Sequence, residues 1–115
     1  MEITFSKKDD IVIVNLDGDL DSSTADMARE KIAEKIDNEV NMIINMENCK
    51  YVSSAGLRVL MITAKKLKAG NGLGVLVNMV QEVEDVMEMT GFGHMLKSFS
   101  NMEEAEDYLN SKGAN

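Results

Sequence analysis

Apolar and polar positions along the chain fall into short blocks of two kinds. Ile11-Val12-Ile13-Val14-Asn15-Leu16 is a β-branched run stopped by Asp17-Gly18-Asp19, the pattern of a buried strand. The Ile3–Phe5 stretch is expected to pair with it through a turn at Lys7–Asp10. Ser22-Ser23-Thr24 then gathers helix-cap residues, and Asp26, three positions after Ser23, approximates a capping box. Ala25, Ala28, Ile32 and Ile36 recur at helical spacing, with Arg29, Glu30, Lys31, Glu34 and Lys35 on the other side. That spacing predicts an amphipathic helix of about three turns.

Val40–Met46 is a second apolar run, too short for a typical helix and rich in isoleucine, so it reads as a strand. A polar loop at Glu47–Lys50 leads through Tyr51-Val52-Ser53-Ser54-Ala55-Gly56 into a helix whose Leu57, Leu60, Ala64 and Leu67 share one face. Lys65, Lys66 and Lys68 suit the negative pole of that helix, and Gly70 supplies its stop. Leu73–Val77 reads as a third core strand, and Val80, Val83 and Val86/Met87 as a helix closed by Thr90-Gly91. Asn101-x-x-Glu104 caps a last helix bearing Met102, Ala105 and Leu109. Strands alternating with helices imply βαβ units. The expected fold is a small α/β one: a mixed, largely parallel sheet of about four to five strands flanked by about four helices. The initial hairpin adds an antiparallel edge, and residues 1–115 read as a single domain.

Composition narrows the function. Of 115 residues, 44% are hydrophobic and 28% charged, which argues against wholesale disorder. The apolar runs are far shorter than the roughly 20 residues of a membrane helix. Charge at Glu2, Lys7, Lys8, Asp9 and Asp10 leaves no signal-like opening. A soluble, cytoplasmic protein without a membrane partner is expected. Twenty acidic against twelve basic residues give a net charge of −8, which opposes binding to a phosphate backbone, so nucleic acid is not an expected partner. With Cys49 the only cysteine and His94 the only histidine, no disulfide or Cys/His zinc site can form within one chain. No cofactor is expected. Ten methionines suggest an adaptable core or contact surface.

Several apparent motifs have simple structural explanations. Gly70-Asn71-Gly72-Leu73-Gly74 follows a helix and precedes a strand, the reverse of a dinucleotide fingerprint, and reads as a helix stop and turn. Asp9/Asp10 reads as a solvated turn. A metal-dependent phosphoacceptor aspartate is not expected either, because the Val40–Met46 strand carries Asn45 and no carboxylate ends it. Asp19 and Asp21 stand just before the first helix cap. Ser53 and Ser54 lack the G-x-S-x-G spacing of a serine hydrolase, and His94 lies in a late loop. Either serine can cap the following helix, a bond worth about 1 kcal/mol. A phosphate there would be compatible with the fold, since a helix N-terminus favours negative charge. Val59, Met61 and Ile62 make that helix apolar on most sides, so it is either deeply buried or holds a partner.

Gly18-Asp19-Leu20-Asp21-Ser22-Ser23-Thr24-Ala25 and Tyr51-Val52-Ser53-Ser54-Ala55-Gly56-Leu57-Arg58-Val59-Leu60 together resemble the anti-sigma factor antagonist family, the STAS domain. Val83-Glu84-Asp85-Val86, Thr90-Gly91-Phe92 and Glu103-Glu104-Ala105 extend the resemblance over nearly the whole chain. It implies a non-enzymatic partner switch: the antagonist binds an anti-sigma factor that is also a serine kinase, is released when phosphorylated, and is restored by a PP2C-type phosphatase. Aligned on Gly56-Leu57, the acceptor falls on Ser54, with Ser53 as second choice in a position usually held by Asp. Asn45 also stands where many relatives have Asp. Asp21, Ser22, Ser23, Thr24, Leu57, Arg58 and Met61 are the expected contact residues. A constitutive adaptor or scaffold subunit is the alternative function, and a small serine hydrolase a more distant one.

Overall fold

The structure, a computed structural model, describes residues 1–113. β1 (Glu2–Lys8) and β2 (Ile11–Asp17) form an antiparallel hairpin with Phe5 opposite Val14 and Lys8 opposite Ile11. The turn is tighter than the expected Lys7–Asp10. Asp9 and Asp10 alone turn the chain, both at positive φ, 50° and 68°. A two-residue hairpin loop demands that conformation, and Asp is among the residues that tolerate it.

From β2 the chain passes through α1 (Ala25–Ala33) to β3 (Asn41–Asn48), and through α2 (Ser54–Ala69) to β4 (Gly74–Val77). α3 (Gln81–Thr90) and a short 3₁₀ turn at Phe92–His94 then lead to β5 (Lys97–Phe99), and α4 (Met102–Gly113) follows. The strands lie in the order β1-β2-β3-β4-β5, and every pairing after the hairpin is parallel.

Strand alternation sorts the core into two layers. Met42, Ile44 and Met46 of β3 join Val14 and Leu16 of β2 against Ala28 and Ile32 of α1, Leu57, Leu60 and Leu67 of α2, and Val83 and Met87 of α3. Ile43, Val75 and Val77 share the second layer with Ala105 and Leu109 of α4. Val59 and Thr63 of α2 are also buried, the Thr63 hydroxyl donating to the Val59 carbonyl at 2.8 Å, and α2 packs against α1 as well as the sheet. Burial therefore explains much of the apolar character of α2. It leaves Arg58 exposed and Met61 and Ile62 half-buried.

The element order departs from the sequence pattern at two points. β5 has three residues with a single large apolar side chain, too few to show a period of two. It exists because β4 supplies a parallel partner, Val75 opposite Lys97 and Val77 opposite Phe99, and because the Phe99 ring packs 5.3 Å from that of Tyr108. α1 ends at Ala33 rather than carrying Ile36 within it. The Lys35 and Ile36 amides bond to the Ile32 and Ala33 carbonyls in tighter turns, which still deliver Ile36 to the core.

Candidate functional site

The parallel pairing of β2 and β3 continues past their regular ends, and this continuation builds the site. The register shifts between Asn15 and Asp17. Beyond it the Gly18 amide bonds to the Asn48 carbonyl, the Leu20 amide to the Tyr51 carbonyl, and the Ser53 amide to the Leu20 carbonyl, each at 3.0 Å. Leu20 and Val52 are both buried and form a parallel bridge. The segment leading into α1 is thus stitched to the segment leading into α2. Gly56 permits the closeness: a Cβ there would overlap the Leu20 carbonyl oxygen and lie 2.9 Å from Leu20 Cγ.

Asp21 organises the α1 side. Its carboxylate accepts from the Ser23 hydroxyl at 2.7 Å and from the Ser23 amide at 2.9 Å. The Ser23 hydroxyl, followed by its N–H, holds the Asp21 carboxyl below its usual pKa despite the opposing effect of desolvation. The Thr24 hydroxyl accepts from the Asp21 amide at 3.0 Å and donates to the Asp19 carbonyl at 2.8 Å. This corrects the expected capping box. Thr24 occupies the N-cap position but caps with no side-chain bond, Ser23 is committed to Asp21, and Asp26 is exposed, 3.7 Å from Arg29. The local Asp21–Ser23 bond outcompetes the cap because it forms two residues away without waiting for a helix.

On the α2 side the two serines have different duties. Ser53 is the N-cap, extended at φ −87° and ψ 177°, and its hydroxyl accepts from the Gly56 amide at 3.3 Å. Ser54 is the first helical residue. It is exposed, and its hydroxyl has no partner among the described residues. The first turn holds no acidic residue, so the positive end of the helix dipole there is not offset by a carboxylate of its own helix. Arg58, four residues on and so on the same face, is exposed and makes no ion pair among the described residues.

Around this entrance Asp21 and Thr24 are half-buried, Ser22 and Ser23 exposed, and Met61 half-buried. Leu57 is only 6% exposed and belongs to the core beneath that surface. Tyr51, which the sequence pattern did not single out, is 54% exposed in the loop that pairs with Leu20. Its signal in the sequence was a large aromatic isolated in a polar loop. Cys49 is fully buried, its thiol contacts the Tyr51 carbonyl, and burial pushes its pKa up, which disfavours the reactive thiolate.

Other groups with chemical potential lie elsewhere. Two cavities, one against α3 and one between β1 and the 34–40 segment, take no wall from Asp21, Ser53 or Ser54. His94 lines the first of them, so the structure does not bring a hydroxyl and an imidazole together at Ser54. Among the described residues no group of three His, Cys, Asp or Glu side chains could hold a metal ion, and no helix is long and apolar enough to cross a membrane. Asn45 serves the sheet: it donates to Asn15 at 2.9 Å and accepts from Asn78 and from the Glu47 amide.

A mixed five-stranded sheet with three helices on one layer and one on the other defines a small α/β module, with Ser53 and Ser54 at the entrance of its second helix. The chain belongs to the STAS domain family, which residues 2–105 match. It is 33% identical over 93 residues to BtrV of Bordetella bronchiseptica, a protein whose name proposes an anti-sigma factor antagonist role; the match covers 80% of each chain. In structure it is similar to an anti-sigma factor antagonist from Mycobacterium paratuberculosis, with a TM-score of 0.86, 18% identity, and 95% and 93% of the two chains covered. It is also similar to the anti-sigma factor antagonist SpoIIAA in its unphosphorylated form, with a TM-score of 0.72, 23% identity, and 95% and 98% covered. For the phosphorylated form of SpoIIAA from Bacillus the TM-score is 0.69 at 23% identity, with 93% and 98% covered.

Proposed function

We propose that this chain is an anti-sigma factor antagonist of the partner-switching kind, a non-enzymatic cytoplasmic protein whose docking is controlled by phosphorylation of Ser54. The observation that carries this reading is the division of labour between the two serines. Ser53 spends its hydroxyl on the Gly56 amide, and Ser54 next to it keeps an exposed hydroxyl without a partner among the described residues. A phosphate on Ser53 would remove the cap, whereas one on Ser54 meets the open end of the helix dipole and Arg58. The fold accepts the second modification far more easily than the first.

The docking surface comprises Asp21, Ser22, Ser23 and Thr24 with Tyr51, Arg58 and Met61, supported from below by Leu57. The partner is an anti-sigma factor serine kinase, which supplies the bound ATP itself, and a PP2C-type phosphatase reverses the modification. A dianion at Ser54 must be stripped of water for the partner to dock, an unfavourable step unless the partner provides cations.

Incubation with the partner kinase and Mg-ATP, followed by peptide mapping, tests the assignment. One phosphate is expected on Ser54, with none incorporated by Ser54→Ala. Full incorporation by Ser54→Ala would move the acceptor to Ser53, and no incorporation by the unaltered chain would favour a constitutive adaptor.

A further inference from the structure

Away from the Ser54 entrance, α3, the 3₁₀ turn and β5 enclose a groove of about 330 Å³ that the proposed switch does not use. That volume lies within the range of sites that accept a large side chain or small ligand. Met79 on its wall is half-buried, and Met87 and Leu96 form a buried apolar floor. Glu84 and Glu88, one helical turn apart and both exposed, form the rim on the α3 side. Gly93 leaves the mouth bare: a Cβ there would meet nothing within 4 Å, and no left-handed φ calls for glycine.

The formal charges lining this groove are the carboxylates of Glu84 and Glu88, and the one basic side chain on its wall is His94. α3 carries Glu82, Glu84, Asp85 and Glu88 and no basic residue. Neither Glu84 nor Glu88 makes an ion pair among the described residues. The nearest lysine on β5, Lys97, is turned to the opposite layer, where its ammonium sits over the Tyr108 ring. A second copy of this chain would bring another −8 to the contact, and isologous pairing through α3 would set like charges against one another. A methionine-lined groove under an unpaired acidic rim matches a segment that is apolar and cationic together.

We propose that this groove is a second protein-docking site, which takes a basic amphipathic segment: one large apolar side chain enters between Met79, Met87 and Leu96 while a neighbouring Arg or Lys pairs with Glu84 and Glu88. Docking here is independent of Ser54, so a partner can stay attached at α3 while phosphorylation governs the other surface.

The methionines provide the assay. The full chain with ¹³C-labelled methionine methyls is titrated with a 14-residue helical peptide of Leu and Arg, and separately with a counterpart in which Glu replaces Arg. The basic peptide is expected to shift the Met79 and Met87 signals and leave Met102, on α4, in place. Glu84→Gln/Glu88→Gln, with both changes at exposed positions, is expected to weaken binding at least tenfold, and phosphorylation of Ser54 to leave it unchanged. Equal binding of the acidic peptide, equal shifts at Met102, or undiminished binding by the double variant would overturn the proposal. Methyl shifts that change on dilution without peptide would also overturn it, by assigning the groove to a second copy.

Discussion

Gly56→Ala separates two expectations of opposite sign. Helix propensity alone favours alanine, by about 0.8–1.0 kcal/mol at an interior helical position and by less at Gly56, the third residue of α2. The site geometry opposes it, because the new Cβ would overlap the Leu20 carbonyl oxygen and lie 2.9 Å from Leu20 Cγ and 3.0 Å from the Leu20 carbonyl carbon. Overpacking of this kind costs about 1–3 kcal/mol. Relief requires the Leu20 backbone to move, which loosens its bonds to the Tyr51 carbonyl and the Ser53 amide. Each of those contributes about 0.5–1.5 kcal/mol. With the propensity gain subtracted, a net loss of about 2 kcal/mol is expected. For a chain of this size that lowers the melting temperature by roughly 8 °C. Circular dichroism melts give the stability, and hydrogen exchange at the Leu20 and Ser53 amides shows whether the seam has opened. A Gly56→Ala protein as stable as the parent, or more stable, with both amides still protected, would refute the close-approach reasoning.

Two further outcomes follow from the same site. Phosphate on Ser54 gains about 0.3–1 kcal/mol from the helix dipole and a few tenths of a kcal/mol from Arg58 at i+4, so the isolated phosphoprotein should melt roughly 4 °C higher; a lower melting point would contradict the idea that the fold tolerates the anion. The Asp21 carboxyl is held below its ordinary value of 3.8 by Ser23, so its contribution to stability is complete above that value and disappears as pH falls through the lowered folded pKa. NMR titration should place the Asp21 inflection below 3.8 and move it upward in Ser23→Ala, and an inflection that ignores Ser23 would contradict the assigned cause.

Strong periodicity made most of the architecture legible. The β-branched run of β2, the isoleucines of β3 and the leucine stripe of α2 each fixed an element within a residue or two, because each buries one continuous face. The Asn101-x-x-Glu104 cap also formed as read, with the Glu104 amide bonded to Asn101 at 2.9 Å. β5 was not legible because its pairing energy resides in β4, and its own three residues carry too little pattern. The first helix entrance was misread for a different reason. Ser23 precedes the N-cap Thr24, and both its hydroxyl and its amide bond to the Asp21 carboxylate, a choice set by the conformation of the 18–24 loop.

At the candidate site the motif gave the neighbourhood, but the duties of the paired serines depend on where the helix begins. A one-residue displacement of that start would exchange the capping and unpartnered hydroxyls. Leu57 and Tyr51 show the same dependence on three dimensions. The leucine, itself one of the expected contact residues, is buried in the core, and the tyrosine, outside the helix, stands exposed beside the paired loops.

The most direct measurement is calorimetric titration of the proposed partner, an anti-sigma factor kinase, with unmodified and with Ser54-phosphorylated protein, under identical salt and with both forms verified as folded. Phosphorylation is expected to weaken binding by at least about a hundredfold, equivalent to about 2.7 kcal/mol. Equal affinity of the two forms would show that the Ser54 entrance does not control docking.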